Sequence, residues 1–500
     1  MTGSKGWLET EWLEGPAHES GMPARGRDLC RAQSLHSSEE VPENGMERRE
    51  AGRWMREGHT EGRKTAGVIE ISKQAGEALV RDRWKGAEPS VWTERMLTAL
   101  EEGVKGGVWF SLMDKVYSGR NLKAAWEKVK ANKGAAGVDR QSIEAFQAKE
   151  EEYLGELQES LRASHYEARP VKRVWIPKPG SKEKRPLGIP VVKDRVVQTA
   201  LRNVLEPIFE RIFAERSYGF RPGRGCKDAL RGVETLLKAG KTWVVDADIK
   251  SYFDTISHDV LMKDIKERVA DGRVLDLIEG YLKQGVIDGL DQWEPESGTP
   301  QGAVISPLLA NICLDKIDHE MKVKGYAMIR YGDDAVILCS TEEEAHKALT
   351  LMKAKIEERG LTLHPEKTRI VDATIKGGFD FLGYHFERNT RWPRNKSMKK
   401  LKDNIRQKTK RTSGESMECI IGNLNQSLKG WFEYFRHSNR RTFQMTDKWI
   451  RMRLRSILRK RQGRHGRGRG TDHWRWPNTY FSELGLFTLT AAHEQARQSR

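Results

Sequence analysis

Two neighbouring carboxylates, Asp333 and Asp334, stand in the middle of the otherwise apolar segment IRYGDDAVIL (329–338). Met328 and Ile329 precede them and Ala335 to Leu338 follow, which predicts two short strands joined by a tight Gly-Asp turn with the acids at its tip. As residues alone they read equally as a solvated turn, for which Gly and Asp are ordinary. Two adjacent carboxylates also repel and raise each other's pKa unless a cation lies between them, so a divalent metal site is the sharper reading. That reading needs a third acid. KTWVVDADIKSYFDTISH (241–258) begins as an apolar strand and ends in acids, with Asp246 and Asp248 at alternate positions on one strand face and Asp254 read as a helix cap. Asp248 is the candidate third ligand, and Asp246 reads equally as a solvated strand-end residue. One acid at a strand end plus an Asp pair at a hairpin tip is what two-metal phosphoryl transfer requires, and oxygen ligands suit Mg²⁺ better than zinc.

The 500-residue chain is longer than one compact core usually holds, which predicts two or three units. A net charge of +17 with 32% charged residues points to a polyanionic partner, nucleic acid first. No run of eighteen apolar residues exists and the first thirty residues lack a signal-peptide pattern, so a soluble cytoplasmic protein without membrane contact is expected. The five cysteines, Cys30, Cys226, Cys313, Cys339 and Cys419, are scattered singly without zinc spacing, and they read as reduced and structural.

Three regions differ in character. Residues 1–85, rich in Gly, Glu, Arg and Ser with few periodic apolar positions, are expected to be poorly ordered. Residues 86–390 begin with helices interrupted by NKGAAGVD, where Asp139 is expected to cap the helix RQSIEAFQAKEEEYLGELQESL. Strand-like runs VKRVWIPK, RPLGIPVV, TWVVDADI, AMIRYG and DAVILCS then alternate with helices DRVVQTALRNVLEPIFERIF and EEEAHKALTLMKAKIEERG, an α+β or α/β pattern. From 391 to 500 the amphipathic segments become very basic, which predicts a separate helical unit. Eleven Lys/Arg face a single acid between Arg388 and Arg411, and nine face none between Arg451 and Gly470. Such charge fits folded RNA gripped through phosphates and shape, and GRHGRGRG (463–470) reads as a flexible basic loop.

Beyond these single readings, IPKPGSKEKRPLGIP (176–190), RSYGFRPGRGCKDAL (216–230), DIKSYFD (248–254), GTPQGAVISPLLANICLD (298–315), YGDD (331–334), HPEKT (364–368) and FDFLGYHF (379–386) stand in the order of the polymerase blocks of group II intron reverse transcriptases, which the chain resembles over residues 90–490. The resemblance implies an α+β right-hand fold, fingers and palm followed by an α-helical thumb and maturase domain X. It implies that Asp248, Asp333 and Asp334 are the catalytic triad holding two Mg²⁺ ions. Lys178 and Arg185 resemble the basic pair that grips the incoming triphosphate, and Gln301 the residue beside its sugar. Lys367 is a candidate proton donor to pyrophosphate, with a solvated surface Lys as its alternative. Phe253 resembles the steric gate that rejects ribonucleotides, although as a single residue it reads equally as core. Gly332, where the family more often has Ala, is expected to cost only some local rigidity.

The same resemblance implies partners. These are the parent group II intron RNA, an RNA template with a DNA primer, target DNA and deoxynucleotides, with Lys399, Lys400, Lys402, Arg406, Arg451, Arg453, Arg455, Arg459 and Lys460 as RNA-binding residues. Splicing assistance and copying of the intron for mobility follow as expected functions. With no Cys after Cys419, no Cys/His endonuclease is expected. A splicing-only RNA-binding protein and a domesticated, for example CRISPR-associated, reverse transcriptase remain the alternative readings.

Overall fold

The computed structural model describes residues 86–103, 106–177 and 184–498, so the expectation for residues 1–85, Cys30 and Lys178 lie outside the described residues. The architecture is α+β with three small sheets. Helices α1 (Gly119–Ala131), α2 (Glu150–Arg162) and α3 (Val192–Glu210) pack together at the start, and α3 is buried along most of its length. The helix expected from Arg140 onward is broken into Ile143–Gln147 and α2. Ser142 caps the first piece by accepting from Ala145 N, and Asp139 instead closes a short turn on Gln141 N.

The central sheet has the order β6-β7-β3-β8, from β3 (Trp243–Asp248), β6 (Ala327–Tyr331), β7 (Asp334–Cys339) and β8 (Arg369–Asp372). Its strands carry apolar residues at successive positions because both faces are covered. Val245, Ala247, Ala335 and Ile337 face a large core shared with α3, α5 (His258–Lys266), α6 (Gly272–Leu282) and α7 (Ser306–Val323). Val244, Val336 and Leu338 face a second core with α4 (Cys226–Lys238), Phe379, Phe381, Tyr384 and Phe386. A four-stranded sheet, β2-β1-β4-β5, is built from the hairpin β1 (Val171–Pro177) and β2 (Lys184–Ile189) with β4 (Val286–Asp288) parallel to β1 and β5 (Asp291–Trp293) beside it. The sequence signals located β1, β2, β3, β6 and β7. They missed β4, β5, β8 and a third sheet of β9 (Phe379–Phe381), β10 (Tyr384–Glu387) and β11 (Thr390–Pro393), all of three or four residues, too short for a period-2 pattern to register.

The basic helices follow as α8 (Asn395–Lys408), α9 (Met417–Phe435) and α10 (Arg440–Arg461), around a third core that includes Leu401, Ile420, Leu424, Phe443 and Leu454. Two tyrosines tie this unit to the third sheet reciprocally. Tyr384 Oη donates to the Tyr434 carbonyl at 2.7 Å, and Tyr434 Oη donates to the Leu382 carbonyl at 2.8 Å. The Phe435 ring packs against both tyrosine rings within the second core.

Candidate active site

Pairing of β3 with β7 sets Asp248 directly opposite Asp334, with Asp333 in the two-residue turn beside them. The three carboxyls therefore collect at one end of the central sheet. Gly332 in that turn has φ of +65°, a conformation in which a side chain is strained. A Cβ there would also lie 2.9 Å from Phe220 Cε2. This corrects the expectation for Gly332: the glycine relieves strain at the turn and leaves room for Phe220.

The turn is anchored from behind. Arg330, on β6 and only 3% exposed, donates from Nε to both Asp318 carboxylate oxygens at 2.9 and 3.0 Å and from Nη1 to Asn311 Oδ1 and to the Gly332 carbonyl, each at 2.9 Å. The segment 216–220 lies along β6, with Tyr218 N donating to the Arg330 carbonyl at 2.9 Å and Arg330 N donating to the Arg216 carbonyl at 3.1 Å. Gly219 is needed there because a Cβ would fall 2.1 Å from Gly332 N. These supporting residues escaped sequence reasoning, though a lone Arg inside an apolar strand run was a usable signal, since a buried guanidinium requires a buried acceptor.

Electrostatically the site asks for positive charge. Burial, then the neighbouring Asp334 and Asp248, push the Asp333 carboxyl up to about 7, while Arg185 on β2 opposes the rise. Lys367 Nζ lies 2.8 Å from Asp248 Oδ2. It is delivered by the 364–368 segment, where His364 N donates to the Asp248 carbonyl at 2.7 Å. Among the described residues no group of three His, Cys, Asp or Glu side chains is drawn close enough, as it stands, to hold a metal ion. Asp246 points to the same face of β3 but pairs with Arg369 at 3.4 Å.

The neighbouring loop carries the other candidates. Thr299 N donates to the Phe253 carbonyl and Gly298 N to the Ile256 carbonyl, both at 2.7 Å, and Gly188 N on β2 donates to the Gln301 carbonyl at 2.6 Å. Gln301 Nε2 contacts both Asp254 carboxylate oxygens at 3.3 Å. Asp254 thus serves this loop, and the helix His258–Lys266 is capped instead by Ser257, which accepts from Val260 N. Phe253 is 6% exposed and packs edge-on against Tyr252 in the large core. Arg185 pairs in register with Ile176 on the hairpin over the site.

The basic candidates divide into two groups. Lys399, Lys400, Arg406 and Lys460 are exposed, with Lys402 and Arg451 half-buried, although Arg406 also pairs with Asp403. Arg453 donates to Thr409 Oγ1 and its carbonyl at 2.6 and 2.8 Å, and Arg459 pairs with Asp472 at 2.8 Å. Arg455 departs from its place among the expected RNA-binding residues. It is 2% exposed, donates to the Trp476 carbonyl and Asn478 Oδ1 at 2.8 Å each, and lies over the Phe481 ring. It is a core guanidinium of the helical unit.

The comparisons with known proteins agree with this layout. Residues 176–386 match the family described as reverse transcriptase (RNA-dependent DNA polymerase), and residues 398–476 match the group II intron, maturase-specific domain. Protein YkfC of Escherichia coli (strain K12) is 33% identical over 61% of this chain and 86% of its own length. The group II intron-encoded protein LtrA of Lactococcus lactis subsp. cremoris is 39% identical over 39% of this chain, which spans 32% of that protein. A putative COX1/OXI3 intron 1 protein of Saccharomyces cerevisiae is 31% identical over 50% of this chain and 29% of its own length. With both domain patterns in family order on a right-hand α+β fold, the chain belongs to the group II intron reverse transcriptase and maturase family.

Proposed function

We propose that this protein is an RNA-directed DNA polymerase that binds its parent group II intron RNA, assists its splicing and copies it into DNA. The observation that carries the reading is the meeting of Asp248, Asp333 and Asp334 at one sheet end beside Arg185 and Lys367. The elevated Asp333 carboxyl fits a cation site, since an ion among the three acids removes their repulsion. Asp248, Asp333 and Asp334 would hold two Mg²⁺ ions, which supply activation of the primer 3′-hydroxyl and stabilisation of the leaving pyrophosphate.

The remaining steps belong to the chain's own groups. Arg185 on β2 pairs with the triphosphate, and Lys178, outside the described residues, is its expected partner in that role. Gln301, held toward Asp254, orients the sugar, and the buried ring of Phe253 gives no acceptor to a 2′-hydroxyl, which favours deoxynucleotides. Lys367, paired with Asp248 in this structure, would donate a proton to pyrophosphate. In this reading residues 86–390 are fingers and palm and residues 391–500 are thumb and domain X, with β11 straddling the boundary. The exposed Lys399, Lys400, Arg406 and Lys460, with the half-buried Lys402 and Arg451, contact intron RNA, and target DNA receives the copy during mobility. Among the described residues no helix is long and apolar enough to cross a membrane, and the protein is assigned to the cytoplasm with its RNA.

Primer extension on an RNA template with Mg²⁺ and deoxynucleotides tests the reading, with intron splicing scored in the same preparations. Asp333→Ala/Asp334→Ala should abolish extension and leave splicing in place. Normal extension by this variant would refute the assignment of the catalytic centre.

A further inference from the structure

The loop that leads out of α10 is built, and what it holds is an exposed tryptophan. Gly468 is buried, donates from its N–H to Ser456 Oγ at 2.9 Å, and sits where a Cβ would fall 2.4 Å from Arg455 Cβ. Arg459 Nε donates to the His465 carbonyl at 2.7 Å, which fixes the start of the loop. Asp472, only 1% exposed, receives Arg459 Nη1 at 2.8 Å and Arg469 N–H at 3.1 Å, which fixes its end. The expectation of a flexible basic loop is therefore replaced by a pinned one.

Trp474 lies on the short helix α11 (Asp472–Arg475) that this pinning presents, and it is 89% exposed. Trp476, two residues on, is packed in the core of the helical unit. The Trp474 ring stacks on no other aromatic ring among the described residues. Around it in sequence Arg464, Arg467, Arg469 and Arg475 are exposed, and the only carboxylate of residues 463–475, Asp472, is buried and paired. A large apolar ring held out from a rigid base and flanked by unopposed guanidiniums matches a polyanion that also offers flat apolar faces. Nucleic acid with unpaired bases has that chemistry, whereas a paired helix hides its base faces.

We propose that Trp474 stacks on an unpaired nucleotide of a folded RNA while Arg464, Arg467, Arg469 and Arg475 hold the flanking phosphates. This rests on the RNA-binding reading of the helical unit and adds to it the kind of RNA feature recognised. Because stacking reads no base edge, the contact tolerates any base.

The test uses the full chain and two RNA probes, a hairpin with a loop of unpaired bases carrying 5-iodouridine and a blunt duplex of the same length. Trp474→Ala should weaken hairpin binding by roughly 5- to 150-fold, the range for loss of one base stack, and leave duplex binding and the melting temperature unchanged. Trp474→Phe should restore most of the hairpin affinity. Ultraviolet crosslinking of the wild type should map to the peptide containing Trp474. Equal hairpin affinity in wild type and Trp474→Ala would overturn the proposal, as would an equal loss on both probes. If the wild type binds neither probe, the RNA-binding reading itself falls, which separates the two failures.

Discussion

The strongest structural demand on the candidate site falls on Arg330, which touches none of the three acids. Its guanidinium is buried, shares Asp318 in a two-pronged pair and donates to the Gly332 carbonyl in the turn that carries Asp333. Arg330→Met keeps the volume and removes the charge. Asp318, equally buried, is then left without its partner, which costs about 3–5 kcal/mol against a total stability on the order of 5–15 kcal/mol. The double variant Arg330→Met/Asp318→Leu removes both charges and should recover most of that loss, because apolar replacement of a buried pair is often neutral.

What the double variant does not restore is the donor to the Gly332 carbonyl, worth about 1–3 kcal/mol if that oxygen stays buried. The turn should then hold Asp333 less tightly, and extension should stay roughly tenfold or more below wild type, the effect of about 1.4 kcal/mol on a barrier. Urea unfolding followed by hydrogen exchange at β6 and β7 measures the first effect, and single-turnover primer extension at saturating nucleotide measures the second. A double variant as unstable as the single one would refute the pairing argument. A stable double variant with wild-type extension would show that Arg330 does not position the turn.

Gly332→Ala should cost about 1–3 kcal/mol and slow extension, because residue 332 has φ of +65° and a Cβ would press on Phe220; unchanged melting and rate would refute this. Asp333, raised to about 7 in the metal-free protein, holds a proton that the unfolded chain releases near pH 4. Its contribution to metal-free stability is thus full below pH 4 and lost as pH rises through about 7. On the proposed two-metal reading Mg²⁺ would displace that proton, so the Mg²⁺ needed for half-maximal extension should be about tenfold higher at pH 6 than at pH 8, and a flat dependence would contradict the clustering. Arg455→Ala, which opens the core of the helical unit, should lower its stability by about 2–4 kcal/mol and leave the salt dependence of RNA binding unchanged. Lys399→Ala/Lys400→Ala should do the reverse, lowering the salt slope by about 2 without changing the melting temperature.

Sequence by itself determined the parts of this protein that local pattern encodes. The apolar runs of β3 and β7, the Gly-Asp turn, the long helices and the alternation of Asp246 with Asp248 follow from period, turn chemistry and capping within a few residues. The carboxyls of Asp248, Asp333 and Asp334 were legible because they stand at the ends of such runs. Only the tertiary structure decided which charges work inside. Arg455 and Asp318 look like surface residues in a one-dimensional reading, and like Arg330 they are buried because partners on other elements satisfy them. The same holds for the loop at 463–470, whose glycines read as freedom until Arg455 and Asp472 close on it. Strands of three or four residues were invisible because so short a run shows no period of its own; β9, β10 and β11 hold one another through adjacent hairpins, and β8 pairs with β3 from far along the chain.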